Sequence, residues 1–91
     1  MKALVYSKDD CPHCDLALEI LESKGVKVDV IKVIKDISPE RFKGEIFRRA
    51  NRVVSTVPQI FLDDKYIGGC DDLVEHYENE SLSSEFSDFE L

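Results

Sequence analysis

LVYSKDDCPHCDLALEILESKG, residues 4–25, changes its hydrophobic period part-way along, and a pair of cysteines sits at the change. Lys2 to Ser7 is a short apolar and β-branched run with an aromatic Tyr6, which suits a buried strand. From Pro12 to Lys24 the apolar residues Leu16, Ala17, Ile20 and Leu21 recur at three- and four-residue spacing, which predicts a helix with Gly25 at its C-terminal cap. Proline is suited to the first helical position, because the N–H it lacks would be unpaired there. Cys11 is thereby expected at the helix N-cap and Cys14 one turn inside.

Working outward, Val26 to Ile34 (VKVDVIKVI) is β-branched and reads as a second strand, which makes the first three elements a βαβ unit. Ser38-Pro39 announces another helix with serine as its cap and Glu40 in its first turn, and Phe42, Ile46, Phe47 and Ala50 are its expected inner stripe. Gly44 weakens that helix by about 1 kcal/mol relative to alanine. Pro58 to Leu62 and Lys65 to Ile67 flank Asp63-Asp64 and read as a hairpin. Beyond Gly68-Gly69, CDDLVEHYENE carries Leu73, Val74 and Tyr77 on one face of a third helix. The order is β-α-β-α-β-β-α, an α/β domain over residues 1–79. Residues 80–91 form an acidic tail that is expected to be frayed or loosely docked.

A chain of 91 residues supports one modest core, and 43% hydrophobic composition is ordinary for a globular domain. The start, MKALVYSKDD, does not read as a signal peptide, and no apolar run approaches the roughly 20 residues of a membrane span, so a cytoplasmic location is expected. A net charge of −7 argues against general nucleic-acid binding. That charge is unevenly placed. Lys32 to Arg52 holds seven basic and three acidic residues, whereas residues 78–91 hold five acids and no base, so a local positive field can persist in an acidic protein.

The three cysteines, Cys11, Cys14 and Cys70, cannot all pair, and a reducing compartment disfavours a structural disulfide framework. A zinc site needs about four ligands, and this CxxC has no second ligand pair. Haem attachment needs histidine directly after the second cysteine, where Asp15 stands. A working thiol couple fits better. A sulfur at a helix N-cap faces unpaired N–H groups and the positive end of the dipole, which favour thiolate over thiol. Cys14, shielded inside the helix, then suits the resolving role. Lys8 either adds positive charge on the same loop or is an ordinary solvated lysine. His13 either stabilises the Cys11 thiolate, making the couple more oxidising, or is an exposed residue that only tunes contacts. His76 is read as a surface residue.

KDDCPHC (8–14), STVPQIF (55–61) and IGGCDDL (67–73), in this order and at these distances, closely resemble the glutaredoxin family over roughly residues 2–79. The resemblance implies a thioredoxin-like fold with a four-stranded mixed sheet flanked by three helices. It implies a dithiol oxidoreductase that uses glutathione as co-substrate and no metal, with Cys11 as nucleophile and Cys14 as resolving thiol. It further implies that Pro58 is a cis-proline facing them, in the Thr56-Val57-Pro58 segment, with Val57's backbone available to an incoming peptide. Gly69, Cys70, Asp71 and Asp72 resemble the glutathione clamp: helix N-terminal N–H groups for a carboxylate and an aspartate for an ammonium, Asp71 before Asp72, since either could instead cap the helix. Lys8 would meet the glycine carboxylate, with Arg49 and Arg52 assisting. Client proteins would be disulfide-forming enzymes such as ribonucleotide reductase, and the protein would act as a monomer.

The chain departs from the family pattern twice. His13 stands where tyrosine is usual, so that the Pro-His pair resembles that of a periplasmic thiol oxidase, and Val54 stands where many members have glutamine. Cys70 reads either as a buried inert thiol or as a regulatory one near a helix start. Two other functions compete: a thioredoxin-like donor reduced by a flavoprotein reductase, and an iron–sulfur carrier built from two subunits and glutathione, which Pro12 and the second cysteine disfavour by analogy with the family.

Overall fold

The computed structural model describes residues 1–79, and the expected acidic tail lies outside them. Strand β1 (Lys2–Ser7), helix α1 (Pro12–Ser23), strand β2 (Lys27–Lys32), helix α2 (Pro39–Ala50), strands β3 (Gln59–Leu62) and β4 (Lys65–Gly68), and helix α3 (70–79) follow in the order read from the sequence. The sheet runs β2-β1-β3-β4. β1 and β2 are parallel, as a helical crossover permits, while β1–β3 and β3–β4 are antiparallel.

Alternation along the strands divides the core between the two faces of the sheet. Ala3, Val5, Ile60 and Leu62 point one way and pack with Ala17 and Leu21 of α1 and with Cys70 and Leu73 of α3. Tyr6 and Phe61 point the other way and pack with Phe42 and Ile46 of α2. Tyr6 stacks at 5.5 Å on Phe42 and 6.2 Å edge-on to Phe61, whose ring is 5.3 Å from Tyr66, so this second face is aromatic where the first is aliphatic.

Two expected core residues are outside it. Phe47 is 53% exposed and Leu16 44% exposed. In α2 the inward row is Phe42, Ile46 and Ala50, at four-residue steps, and Phe47 lies about 100° round from Ile46. In α1 the row is Cys14, Ala17 and Leu21, which turns Leu16 outward. Strand β2 is also shorter than expected. Asp36 accepts the Lys32 N–H through its side chain at 2.8 Å and donates its own N–H to the Lys32 carbonyl at 2.7 Å. That local turn ends the ladder, with Ile34 at φ 81°.

The ends of the helices follow their sequence signals. Gly25 takes φ 73°, the left-handed value a C-terminal cap requires. Asp63 and Asp64, at φ 47° and 69°, make a tight hairpin turn, and Asp63 binds back to Lys2 through both its backbone and its side chain at 2.9 Å.

Candidate active site

The β1–α1 junction sets Cys11 in extended geometry at the N-cap, with Pro12 opening α1. Its sulfur accepts the backbone N–H of Cys14 at 3.3 Å, one of the donors that a helix start leaves unpaired. Cys11 and Cys14 are joined in a disulfide with their Cα atoms 5.2 Å apart. The two residues differ in access: Cys11 is 7% exposed and Cys14 is wholly buried.

Across from the pair, the Val57-Pro58 peptide is cis, and the Val57 carbonyl oxygen stands 4.0 Å from the Cys11 sulfur. Beside them opens a shallow pocket of about 190 Å³. His13 contributes one side of it and Thr56, Val57 and Pro58 another. Gly69, Cys70, Asp71 and Asp72, the entry to α3, close the third.

The two aspartates of that entry are used differently. Asp72 turns back to accept the Gly69 N–H at 2.9 Å, a capping-box contact, and its carboxylate occupies the space a side chain on Gly68 would need. Gly68 meets this crowding with φ 119°, which only glycine takes without cost. Asp71 is exposed and, among the described residues, makes no ion pair or side-chain hydrogen bond. Cys70 is buried, and burial first and the Asp71 charge second push its thiol pKa up.

Among the other expected contributors, His13 lines the pocket, whereas Lys8, Arg49 and Arg52 are not among its lining residues. His13 is exposed and makes no hydrogen bond to the Cys11 sulfur, whose N–H donor is Cys14. Lys8 is exposed on the β1–α1 loop and outside the pocket lining. Arg49 lies 6.0 Å over the Phe61 ring and Arg52 6.0 Å over the Tyr66 ring, so both face the aromatic side of the sheet instead of the pocket.

One buried polar side chain escaped the sequence reading. Gln59 is 4% exposed, donates through Nε2 to the Thr56 carbonyl at 3.0 Å and accepts through Oε1 from the Tyr66 hydroxyl. Glutamine in a strand reads as a side chain turned to solvent, and only the fourth strand reveals its partner.

Residues 3–67 match the Glutaredoxin family model. Over 69 residues the chain is 41% identical to glutaredoxin 3 of Escherichia coli K12, covering 76% of this chain and 77% of that protein. The chain belongs to the glutaredoxin family. Its Cys11-Cys14 pair makes it a glutaredoxin of the dithiol type, a thiol–disulfide oxidoreductase. The solution structure of the dithiolic glutaredoxin of Trypanosoma brucei brucei superposes with a TM-score of 0.72 at 32% identity, over 90% of this chain and 82% of that one. A buckwheat glutaredoxin–glutathione complex shares the fold at a TM-score of 0.73 and 22% identity, over 94% of this chain and 76% of that one. The sheet and helices are thus those of the thioredoxin-like glutaredoxin fold. Among the described residues no helix is long and apolar enough to cross a membrane.

Proposed function

We propose that this glutaredoxin reduces protein disulfides and glutathione mixed disulfides at the expense of glutathione. The observation that carries the reading is the N-cap sulfur of Cys11, bound by a helix N–H and 4.0 Å from the carbonyl of Val57, a residue that also lines a pocket whose walls suit a small zwitterion.

On a glutathionylated client, the Cys11 thiolate attacks the glutathionyl sulfur. A Cys11–glutathione disulfide forms, and the client leaves as a thiolate that takes up a proton. A second glutathione thiolate attacks the bound glutathionyl sulfur, releasing oxidised glutathione and restoring Cys11. On a client disulfide, Cys11 first forms a mixed disulfide with one client sulfur. Cys14 then attacks Cys11, releasing the client dithiol and leaving the Cys11–Cys14 disulfide. Two glutathione molecules return the pair to the reduced state and supply both electrons.

In this reading the N–H groups at the start of α3 take the γ-glutamyl carboxylate and Asp71 takes its ammonium. Asp72 is the weaker candidate because its carboxylate already caps the helix. Thr56 and Val57 offer backbone groups to the peptide. Lys8 serves the glycine carboxylate, and His13 tunes the couple from the pocket rim. Ribonucleotide reductase and other enzymes that form a disulfide in turnover are the proposed clients, met by a cytoplasmic monomer.

The test supplies the reduced protein with glutathione and a glutathione-regenerating reductase, or instead with a thioredoxin-type flavoprotein reductase. Turnover of a glutathionylated peptide is expected with the first reductant alone. Cys14→Ser should retain that turnover and lose reduction of a protein disulfide. Equal service by the flavoprotein reductase, or retained activity in Cys11→Ser, would overturn the reading.

A further inference from the structure

Every residue of β3 is buried, and three of the four are apolar: Ile60, Phe61 and Leu62. Gln59 is the exception. A buried amide left unpaired costs on the order of 1–3 kcal/mol, and an aliphatic side chain would fill the site without that risk. Both ends of this amide are engaged, and their chemistry fixes its orientation. A carbonyl only accepts, so Nε2 must be the atom facing Thr56, which leaves Oε1 for the Tyr66 hydroxyl.

Register explains how the three meet. Gln59 pairs with Tyr6, and Phe61 pairs with Tyr66, so Gln59, Phe61 and Tyr66 share the aromatic face of the sheet. Val54 and Val57 pack against that same cluster, bracketing the segment whose carbonyl Gln59 holds. The amide therefore ties the Thr56-Val57 wall of the pocket to β3 and, through the Tyr66 hydroxyl, to β4. Burial pushes the Tyr66 phenol pKa up, keeping it a donor over the working pH range, with Asp72 adding to the shift and Arg52 opposing it.

We propose that Gln59 and Tyr66 are positioning residues for substrate: they hold the Thr56 carbonyl so that the Thr56-Val57 peptide presents a preformed edge to the glutathionyl group. The proposal rests on the glutathione reading above. It predicts a split in the kinetics, because an edge that binds ground state and transition state alike affects KM and leaves kcat alone.

The experiment compares wild type with Gln59→Met, which keeps the volume and loses both hydrogen bonds, with Gln59→Glu and with Tyr66→Phe. Steady-state turnover of a glutathionylated peptide and the pH profile of Cys11 alkylation by iodoacetamide are measured on each. Gln59→Met should raise KM about three- to tenfold with kcat and the alkylation profile unchanged. Tyr66→Phe should raise it about twofold, and it serves as the test should Gln59→Met fail to fold. Gln59→Glu is the distinguishing variant. Its carboxyl can donate to the Thr56 carbonyl only when protonated, and burial raises the pH at which that holds. Its KM relative to wild type should therefore approach unity as pH falls and grow as pH rises. An unchanged KM in Gln59→Met or, if it does not fold, in Tyr66→Phe, a pH-independent ratio for Gln59→Glu, or an alkylation profile that moves with KM would overturn the proposal. Wild type that fails to turn over the peptide with glutathione would instead sink the glutathione reading.

Discussion

Helices α1 and α2 begin in the same way and end up doing different things. Each is 12 residues long, opens on proline, and is capped by the preceding side chain, which accepts the N–H three residues on. In α2 the acceptor is the Ser38 oxygen, 3.1 Å from Arg41 N; in α1 it is the Cys11 sulfur, 3.3 Å from Cys14 N. Ser38 is exposed, whereas Cys11 is buried against the cis-proline segment. A helix start is thus a general device for holding an electronegative atom. What surrounds the atom decides whether that device serves stability or chemistry.

The largest effect that would break this comparison comes from exchanging the two atoms. Cys11→Ser keeps a capping oxygen and should fold with a stability within about 0.5 kcal/mol of the reduced wild type, since serine is among the best N-cap residues. Its turnover should fall by at least about 10³-fold, because an alkoxide is not available at neutral pH and a serine oxygen cannot form the disulfide intermediates. Adding Ser38→Cys in that background places a thiol in the other cap. Alkylation should show it titrating below an ordinary cysteine near pKa 8.5, yet turnover should not return, since Cys14 and the cis-proline pocket stand at the other cap. Recovery of even a tenth of the activity would mean that the cap alone makes the site.

That distinction also marks how far the sequence could be read. The change of period at Cys11, the two Ser/Cys-Pro helix starts and the TVP and GGCDDL segments each carry a local signal, so strands, helices and the residues around the pocket were legible. Leu16 and Phe47 were misplaced because apolar spacing defines a stripe only to within one neighbouring position, and the row actually buried includes Cys14, a residue read for its chemistry. Gln59 was illegible for a different reason. Its meaning depends on Tyr66 in another strand and on a carbonyl, which has no side chain to show in a sequence. The placement of Arg49 and Arg52 has the same origin: both are near the TVP segment in sequence, and only the fold shows their guanidinium groups 6.0 Å over the Phe61 and Tyr66 rings.

A smaller effect sharpens the comparison at the helices' inner faces. α1 is fastened through apolar contacts of Ala17 and Leu21, whereas α2 is fastened by charge as well. The buried Tyr6 hydroxyl donates to Glu45 at 2.7 Å, and Arg41 donates to the other oxygen at 3.0 Å. The Tyr6 bond, followed by that from Arg41, outweighs burial and holds the Glu45 pKa below its ordinary 4.5. Burial, then the bond to Glu45, pushes the Tyr6 pKa up to about 12. The Glu45 contribution is therefore complete above about pH 4.5 and lost as pH falls through the depressed value, while the Tyr6 contribution is complete below pH 10 and lost as pH rises towards 12. Tyr6→Phe should cost about 1.5–2 kcal/mol at neutral pH and flatten both limbs of the denaturation profile. The Cys11–Cys14 reduction potential, set at the other helix, should not move. A shift in it would show that the two faces are coupled.

The smallest effect tests the caps directly, in the reduced protein. Ser38→Ala removes an oxygen that accepts a helix N–H and should cost about 1 kcal/mol at every pH at which the protein is folded. Cys11→Ala removes a sulfur, a weak acceptor while it is a thiol, so near pH 6 it should cost less than half as much. As the sulfur ionises it becomes a charged acceptor at the positive end of α1, and its contribution to stability grows. A thiol ionised more readily in the folded chain than in the unfolded one adds stability that is complete above the unfolded value near 8.5 and lost as pH falls through the lower, folded value. The cost of Cys11→Ala measured by chemical denaturation should therefore rise between pH 6 and pH 9 and overtake that of Ser38→Ala, whose cost stays level. Two parallel lines would mean that α1 treats its sulfur as α2 treats its oxygen, as a cap and no more.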